Sequence, residues 1–167
     1  MIILGLDPSL RNWGIALMSY NSNTLTLLEV KVIQTKPHKK SKLSKALQDL
    51  QDAQTLLTGV LSYALKADVV VIELPLGSQS AAAMKSYGIC IGLAAALTEL
   101  KIPFYYVNPF DVKRVVGSTK TTKEEIIEWV NNRHPNILDK AKCRAEHQAD
   151  ACIAIYAALN QIKELNQ

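Results

Sequence analysis

Residues 69–72 read Val-Val-Val-Ile, four β-branched aliphatic side chains in a row. Successive side chains of a strand point to opposite faces, so this run is apolar on both and needs helices on both sides. That requirement selects a layered α/β architecture. The rest of the chain supplies the parts. Residues 2–6 form a short apolar run closed by Asp7-Pro8-Ser9, a turn signal. Residues 13–19 and 25–34 are rich in β-formers, and Asn21-Ser22-Asn23 between them is hairpin-turn chemistry. Short connections between these strands predict an antiparallel meander. From Leu43 the period changes: Leu43, Ala46, Leu47, Leu50, Ala53, Leu57, Val60, Leu61 and Ala64 recur at helical spacing. A helix of mostly small residues is expected over 80–100, suited to packing closely on the sheet or on a partner, and a short strand over 104–107. Helices are expected from Pro109, over 122–132, where Thr122 and Glu125 have capping-box spacing, and over 144–159. The expected fold is α/β: a mixed five-stranded sheet, three antiparallel N-terminal strands followed by parallel ones, with helices on both faces.

At 167 residues the length fits one domain spanning 1–167. With 49% hydrophobic and 20% charged residues, disordered and low-complexity classes are excluded. The net charge of +4 favours an anionic partner only where the bases cluster. The N-terminus has no basic leader and reaches a carboxylate at Asp7, unlike a signal peptide. The longest apolar stretch, around 88–97, falls short of the ~20 residues a spanning helix needs, so no membrane association is expected. Cys90, Cys143 and Cys152 form no CxxC pattern and read as reduced thiols of a cytoplasmic protein (of the cell, or of the host for a virus).

Ligand sites of α/β sheets form at strand termini and topological switch points. Asp7 is expected just past the first strand and Glu73 just past the 69–72 strand. With the first strand central, these two are neighbours and project both carboxylates from one sheet edge. In Ala149-Asp150-Ala151-Cys152-Ile153-Ala154, Asp150 is the lone acid of a small, apolar helix stretch, costly there unless paired or bound to metal. His147 lies three residues earlier on the same helix face. Three carboxylates and an imidazole make an oxygen-rich cluster suited to Mg²⁺ or Mn²⁺, and like charges so close call for cations to neutralise them.

These residues resemble the RuvC-type Holliday-junction resolvases, endonucleases with a ribonuclease-H-like fold. Leu4-Gly5-Leu6-Asp7-Pro8-Ser9-Leu10-Arg11-Asn12-Trp13-Gly14-Ile15-Ala16 is similar to their opening motif, and Val71-Ile72-Glu73 to their second acidic strand. Val107-Asn108-Pro109, Val112-Lys113-Arg114-Val115-Val116-Gly117 and Thr122-Lys123-Glu124 resemble their later strand–loop–helix region, and His147-Gln148-Ala149-Asp150-Ala151 their final helix. The resemblance implies metal-dependent incision of DNA four-way junctions by a homodimer whose two symmetry-related sites cut strands of like polarity. It implies that Asp7, Glu73 and Asp150 are acidic metal ligands, that His147 fills a fourth ligand position, and that Lys113 and Lys123 contact phosphate. Two cations per site are expected, with Asp7 bridging them, Glu73 on one and Asp150 with His147 on the other.

Three features depart from the family pattern. His147 supplies a softer ligand than aspartate, which tilts preference towards Mn²⁺. Glu146, adjacent but about 100° round the helix, ranks behind it as a ligand. Leu76 stands where the family often carries an aromatic wedge at the junction centre; an apolar wedge still unstacks bases. Further DNA-binding candidates are Lys85, Arg114, Lys120 and the basic segment Lys36, His38, Lys39, Lys40, Lys42 and Lys45. Helix 80–100 is the candidate dimer interface. The alternatives are a related nuclease with broader branched-DNA (fork, flap, three-way) or structured-RNA specificity, and a junction-binding protein without catalysis. No residue identifies a helicase partner.

Overall fold

The computed structural model describes residues 1–38 and 41–164. In chain order the elements are β1 (Ile2–Asp7), β2 (Asn12–Asn21), β3 (Thr24–Gln34), α1 (Lys45–Ala64), β4 (Val69–Glu73), α2 (Ala81–Thr98), β5 (Phe104–Val107), α3 (Pro109–Val116), α4 (Lys123–Arg133) and α5 (Lys142–Glu164). The five strands form one sheet in the order β3-β2-β1-β4-β5. The first three are antiparallel, and β1–β4 and β4–β5 are parallel, with α1 and α2 as the crossovers. Between β2 and β3, Ser22 and Asn23 take φ of 47° and 65°, the left-handed pair that a two-residue hairpin turn requires.

The Val69–Ile72 run does what its composition demands. Val69 and Val71 enter one apolar layer with Ile3, Val107, Val130, Ile153 and Ile155, on the side covered by α3, α4 and α5. Val70 and Ile72 enter the opposite layer with Leu4, Leu6, Leu56, Val60 and Leu97, covered by α1 and α2. On the first side α5 lies so close to β1 and β2 that only glycine fits beneath it. A Cβ on Gly5 would stand 2.1 Å from the Ala151 carbonyl oxygen, and one on Gly14 2.0 Å from that of His147.

Helix starts follow local side-chain chemistry. The Ser44 and Ser80 hydroxyls accept from the amides of Leu47 and Ala83, and Asn108–Asp111 and Thr122–Glu125 form reciprocal capping boxes. Several expected boundaries move. Ser44 caps α1, so the helix begins at Lys45, not at Leu43, and α5 extends beyond 144–159 at both ends. Asp7 and Glu73 are the last residues of their strands, not the first beyond them, because the ladders continue to Asp7–Gly14 and Glu73–Val107.

The expectation for helix 80–100 needs more correction. Most of α2 does not pack on the sheet; of its 18 residues only Cys90, Ala94 and Leu97 are buried. By length and composition it also suffices to cross a membrane, contrary to the estimate from 88–97 alone, because small residues on either side extend the apolar window. Within the fold, Lys85 ties α2 to α1 through a 2.7 Å ion pair with Asp49. Lys39 and Lys40 lie outside the described residues.

Candidate active site

The C-terminal ends of β1 and β4 open onto a cavity of about 420 Å³, lined by Asp7, Glu73, His147 and Asp150, with Lys113 and Lys123 in its wall. Each acid arrives by a different route. Asp7 ends the central strand, Glu73 ends its parallel neighbour, and Asp150 comes 77 positions later in sequence on α5, one helical turn from His147. The parallel β1–β4 pairing places the first two carboxylates on the same edge, and the glycine contacts at Gly5 and Gly14 bring the helix down to them.

His147 Nδ1 lies 2.6 Å from Asp7 Oδ2, a hydrogen bond spanning the sheet–helix gap. Burial opposes protonation of the imidazole, but the bond to Asp7 and its negative charge outweigh that and raise the His147 pKa. Burial, then the charges of Asp7 and Asp150, push Glu73 up to about 9. Burial, then Asp7, push Asp150 up to about 7, opposed by Lys123 and His147. Lys123 is held in its charged form by Asp150 and Glu146 in spite of burial, and its Nζ lies 3.2 Å from Glu146 Oε2.

Two buried acids that resist ionisation, Glu73 and Asp150, beside a third carboxyl leave an unsatisfied demand for positive charge. One atom shows it directly: Glu73 Oε2 is buried without a hydrogen-bond partner. Oxygen donors with one imidazole fit a hard or borderline divalent cation. Among the described residues no three His, Cys, Asp or Glu side chains are already gathered tightly enough to hold an ion as they stand.

The other DNA-contact candidates are dispersed. Leu76 lines the cavity and is 64% exposed. Lys85, Arg114 and Lys120 do not line it. Lys85 is paired with Asp49 and Arg114 with Asp111, the latter at 3.2 Å, whereas Lys120 borders a separate cleft with Ser118, Thr121 and Glu125. Within the basic segment, Lys45 approaches Asp49 and His38 turns to Asp52. Glu146 faces Lys123. Ser9, Tyr87 and Pro109 also line the cavity, and none of them has a place in the site as read from the sequence: Ser9 and Pro109 stand in the motifs without a role, and Tyr87 belongs to the helix read as the candidate interface. Ser9 had a readable signal, standing two residues past Asp7 in the turn, whereas nothing local marks Tyr87.

A family model, crossover junction endodeoxyribonuclease RuvC, matches residues 3–158. No curated protein matches the chain. Among solved structures, RuvC of Thermus thermophilus in complex with a Holliday junction substrate is 20% identical, with 96% of each chain covered and a TM-score of 0.70. A second Thermus thermophilus RuvC structure is 18% identical over 96% of each chain, with a TM-score of 0.69. The fowlpox virus Holliday junction resolvase is 15% identical over 97% of this chain and 99% of its own, with a TM-score of 0.59. At these identities the structural likeness is one of fold, and it agrees with the ribonuclease-H-like architecture.

Proposed function

The chain belongs to the RuvC family of crossover junction endodeoxyribonucleases, metal-dependent enzymes that resolve Holliday junctions, and from that premise we propose how its own residues do the cutting. The observation that supports the reading is the meeting of Asp7, Glu73, His147 and Asp150 in one cavity flanked by Lys113 and Lys123. In this proposal residues 1–167 act as one nuclease domain.

Enzymes of the family use divalent ions; we assign two, Mg²⁺ or Mn²⁺, with Mn²⁺ favoured by the imidazole. When bound, such a pair neutralises the phosphoryl oxygens, orients the attacking water and stabilises the leaving oxygen. Asp7 would be shared by both ions, Glu73 would hold one, and Asp150 with His147 would hold the other. Because Asp7 holds Nδ1 of His147, the nitrogen left for an ion is Nε2. Lys113 and Lys123 hold the phosphates beside the cut, and Lys123 exchanges Glu146 for phosphate as it does so. Arg114, Lys120 and Lys85 are assigned to the DNA arms outside the cavity, and Leu76 to the branch point as an apolar wedge.

A four-way junction has two-fold symmetry, and paired nicks need two sites related by the same axis. We assign the homodimer interface to α2. Its outer side exposes Met84 and Ile91, and a Cβ on Gly88 or Gly92 would meet no atom within 4 Å, so a partner helix has room to approach. The place of action is the cytoplasm, where the DNA substrate is.

The test is a cleavage panel of matched four-way, three-way, flap and RNA substrates, in Mg²⁺ and in Mn²⁺, run on wild type and Asp7→Asn. We expect symmetric nicking of the four-way junction by wild type. We expect no cutting by Asp7→Asn at roughly unchanged junction affinity, since removing a carboxylate near phosphate does not weaken electrostatic attraction. Wild-type cutting by Asp7→Asn would sink the assignment. Equal cutting of every branched substrate would favour the broader nuclease, to which the missing aromatic at Leu76 points.

A further inference from the structure

One buried charged cluster has no part in the chemistry above. Asp52, on α1, is 3% exposed yet carries a carboxylate. Its Oδ2 accepts from Arg11 Nη1 at 2.7 Å, and its Oδ1 lies 3.0 Å from His38 Nε2. The same Arg11 nitrogen donates to Thr35 Oγ1 at 2.9 Å and, more weakly, to the Lys36 carbonyl at 3.4 Å. Thr35 in turn donates its hydroxyl to the Leu10 carbonyl at 2.7 Å, and its amide donates to the Arg11 carbonyl at 3.2 Å. The two main-chain carbonyls ending the connection between β1 and β2 are thus both fastened to the residue after β3, and the Arg11 side chain is fastened to α1.

Stability does not account for this arrangement. Withdrawing a carboxylate from water costs several kcal/mol, and apolar replacements of buried ion pairs are often neutral or stabilising. What a satisfied buried network supplies is a single geometry. The segment it fixes begins at the site: Asp7 ends β1, and Pro8 and Ser9 line the cavity immediately before Leu10 and Arg11.

We propose that Asp52 is a positioning residue for the cutting reaction, acting through Arg11 and Thr35 to hold residues 8–11, and with them Asp7, in one conformation. The proposal rests on the reading of the cavity as the cutting site. Small misplacements of reacting groups are expensive in rate, and outer partners of metal ligands are typically worth about 10- to 100-fold. Arg11 acts one step further out than such partners, so the lower end applies to Asp52.

The experiment compares wild type, Asp52→Asn and Thr35→Val as full-length protein. It measures single-turnover cleavage of a four-way junction, junction Kd without metal, and thermal melting, with cleavage assayed where melting shows every protein fully folded. Asp52→Asn is expected to cut about tenfold more slowly with Kd within about twofold of wild type, a rate–affinity split that a general loss of structure does not produce. Thr35→Val leaves Asp52 in place but cuts the link to Leu10, and is expected to be slowed in the same direction. Both variants cutting at the wild-type rate would overturn the positioning role alone. So would a slowing matched by weaker junction binding, which would make the cluster a DNA contact. Wild type that cuts no branched DNA would instead overturn the functional reading, and this inference with it.

Discussion

Helix α2 and the middle of α5, residues 149–158, are both runs of mostly small and apolar residues, and the fold treats them oppositely. Of the 23 residues of α5, ten are buried, and the helix rests on β1 and β2 at the Gly5 and Gly14 contacts. Of the 18 residues of α2, three are buried, and Gly88 and Gly92 look onto open space. Composition therefore does not decide burial; the shape of the surface a helix meets does. The difference sorts their roles. The helix locked to the sheet carries His147 and Asp150, whose placement has to be reproducible, and the one left uncovered is the one proposed above to meet a second chain.

The sharpest way to break this contrast is at the acid on the buried helix. Asp150→Asn should lower single-turnover cleavage by more than about 100-fold while junction binding measured without metal stays near wild type. Cleavage at an undiminished rate would remove α5 from the chemistry. Next comes the seat of the helix. Gly14→Ala drives a methyl group into the His147 carbonyl oxygen, which is backbone and cannot swing aside. It should cost about 3 kcal/mol in denaturant unfolding and slow cutting as well. An unchanged midpoint would mean that α5 is not held as closely as its glycine contacts require.

A smaller effect follows from the carboxyls that the buried helix and β4 bring together. Glu73 is raised from 4.5 to about 9 and Asp150 from 3.8 to about 7, chiefly by burial. Folded-state values above the unfolded ones mean that the folded chain holds extra protons. The associated stability is fully present below about pH 4 and is lost as pH rises through about 7 and then about 9. In chelator the melting temperature should fall by at least about 3 °C from about pH 5 to about pH 8, and Glu73→Gln should flatten the profile. A wild-type curve that rises over that interval would contradict the burial of these groups. The smallest effect on the fold is expected on α2. Ile91→Glu, at an exposed position, should shift monomer stability by no more than about 0.5 kcal/mol yet convert a dimer to a monomer in analytical ultracentrifugation. A dimer that survives the added charge would place the interface elsewhere.

Much of this architecture was readable before any coordinates. The Val69–Ile72 run specified cover on both faces, the turn chemistry at Ser22-Asn23 set the hairpin, and the acids at two strand ends marked one sheet edge. The first two are local signals, carried by residues within a few positions of one another, and the third needs only the expected place of the first strand beside the 69–72 strand. What escaped was long-range. A helix such as α2, with small residues all round, has no apolar stripe to say which side is covered. The bond between His147 and Asp7 joins positions 140 apart, and no spacing rule reaches that far. The ion pairs that Lys85 and His38 make with Asp49 and Asp52 on α1 are equally out of reach, because a sequence shows the charges and not which of them meet. Asp52 itself reads as an ordinary surface acid until Arg11 is seen beside it.

The two glycine seats have a consequence for how the molecule fails when heated. Of the four side chains that meet in the cavity, Asp7 and Glu73 are borne by the sheet and His147 and Asp150 by the helix resting on Gly5 and Gly14, so the two pairs cannot part without breaking the apolar layer that joins them. A partly opened, still folded species at this seam is thus not expected, in keeping with the two-state melting usual for a domain of this size. Loss of activity on warming should therefore follow the melting curve of the whole protein and not precede it.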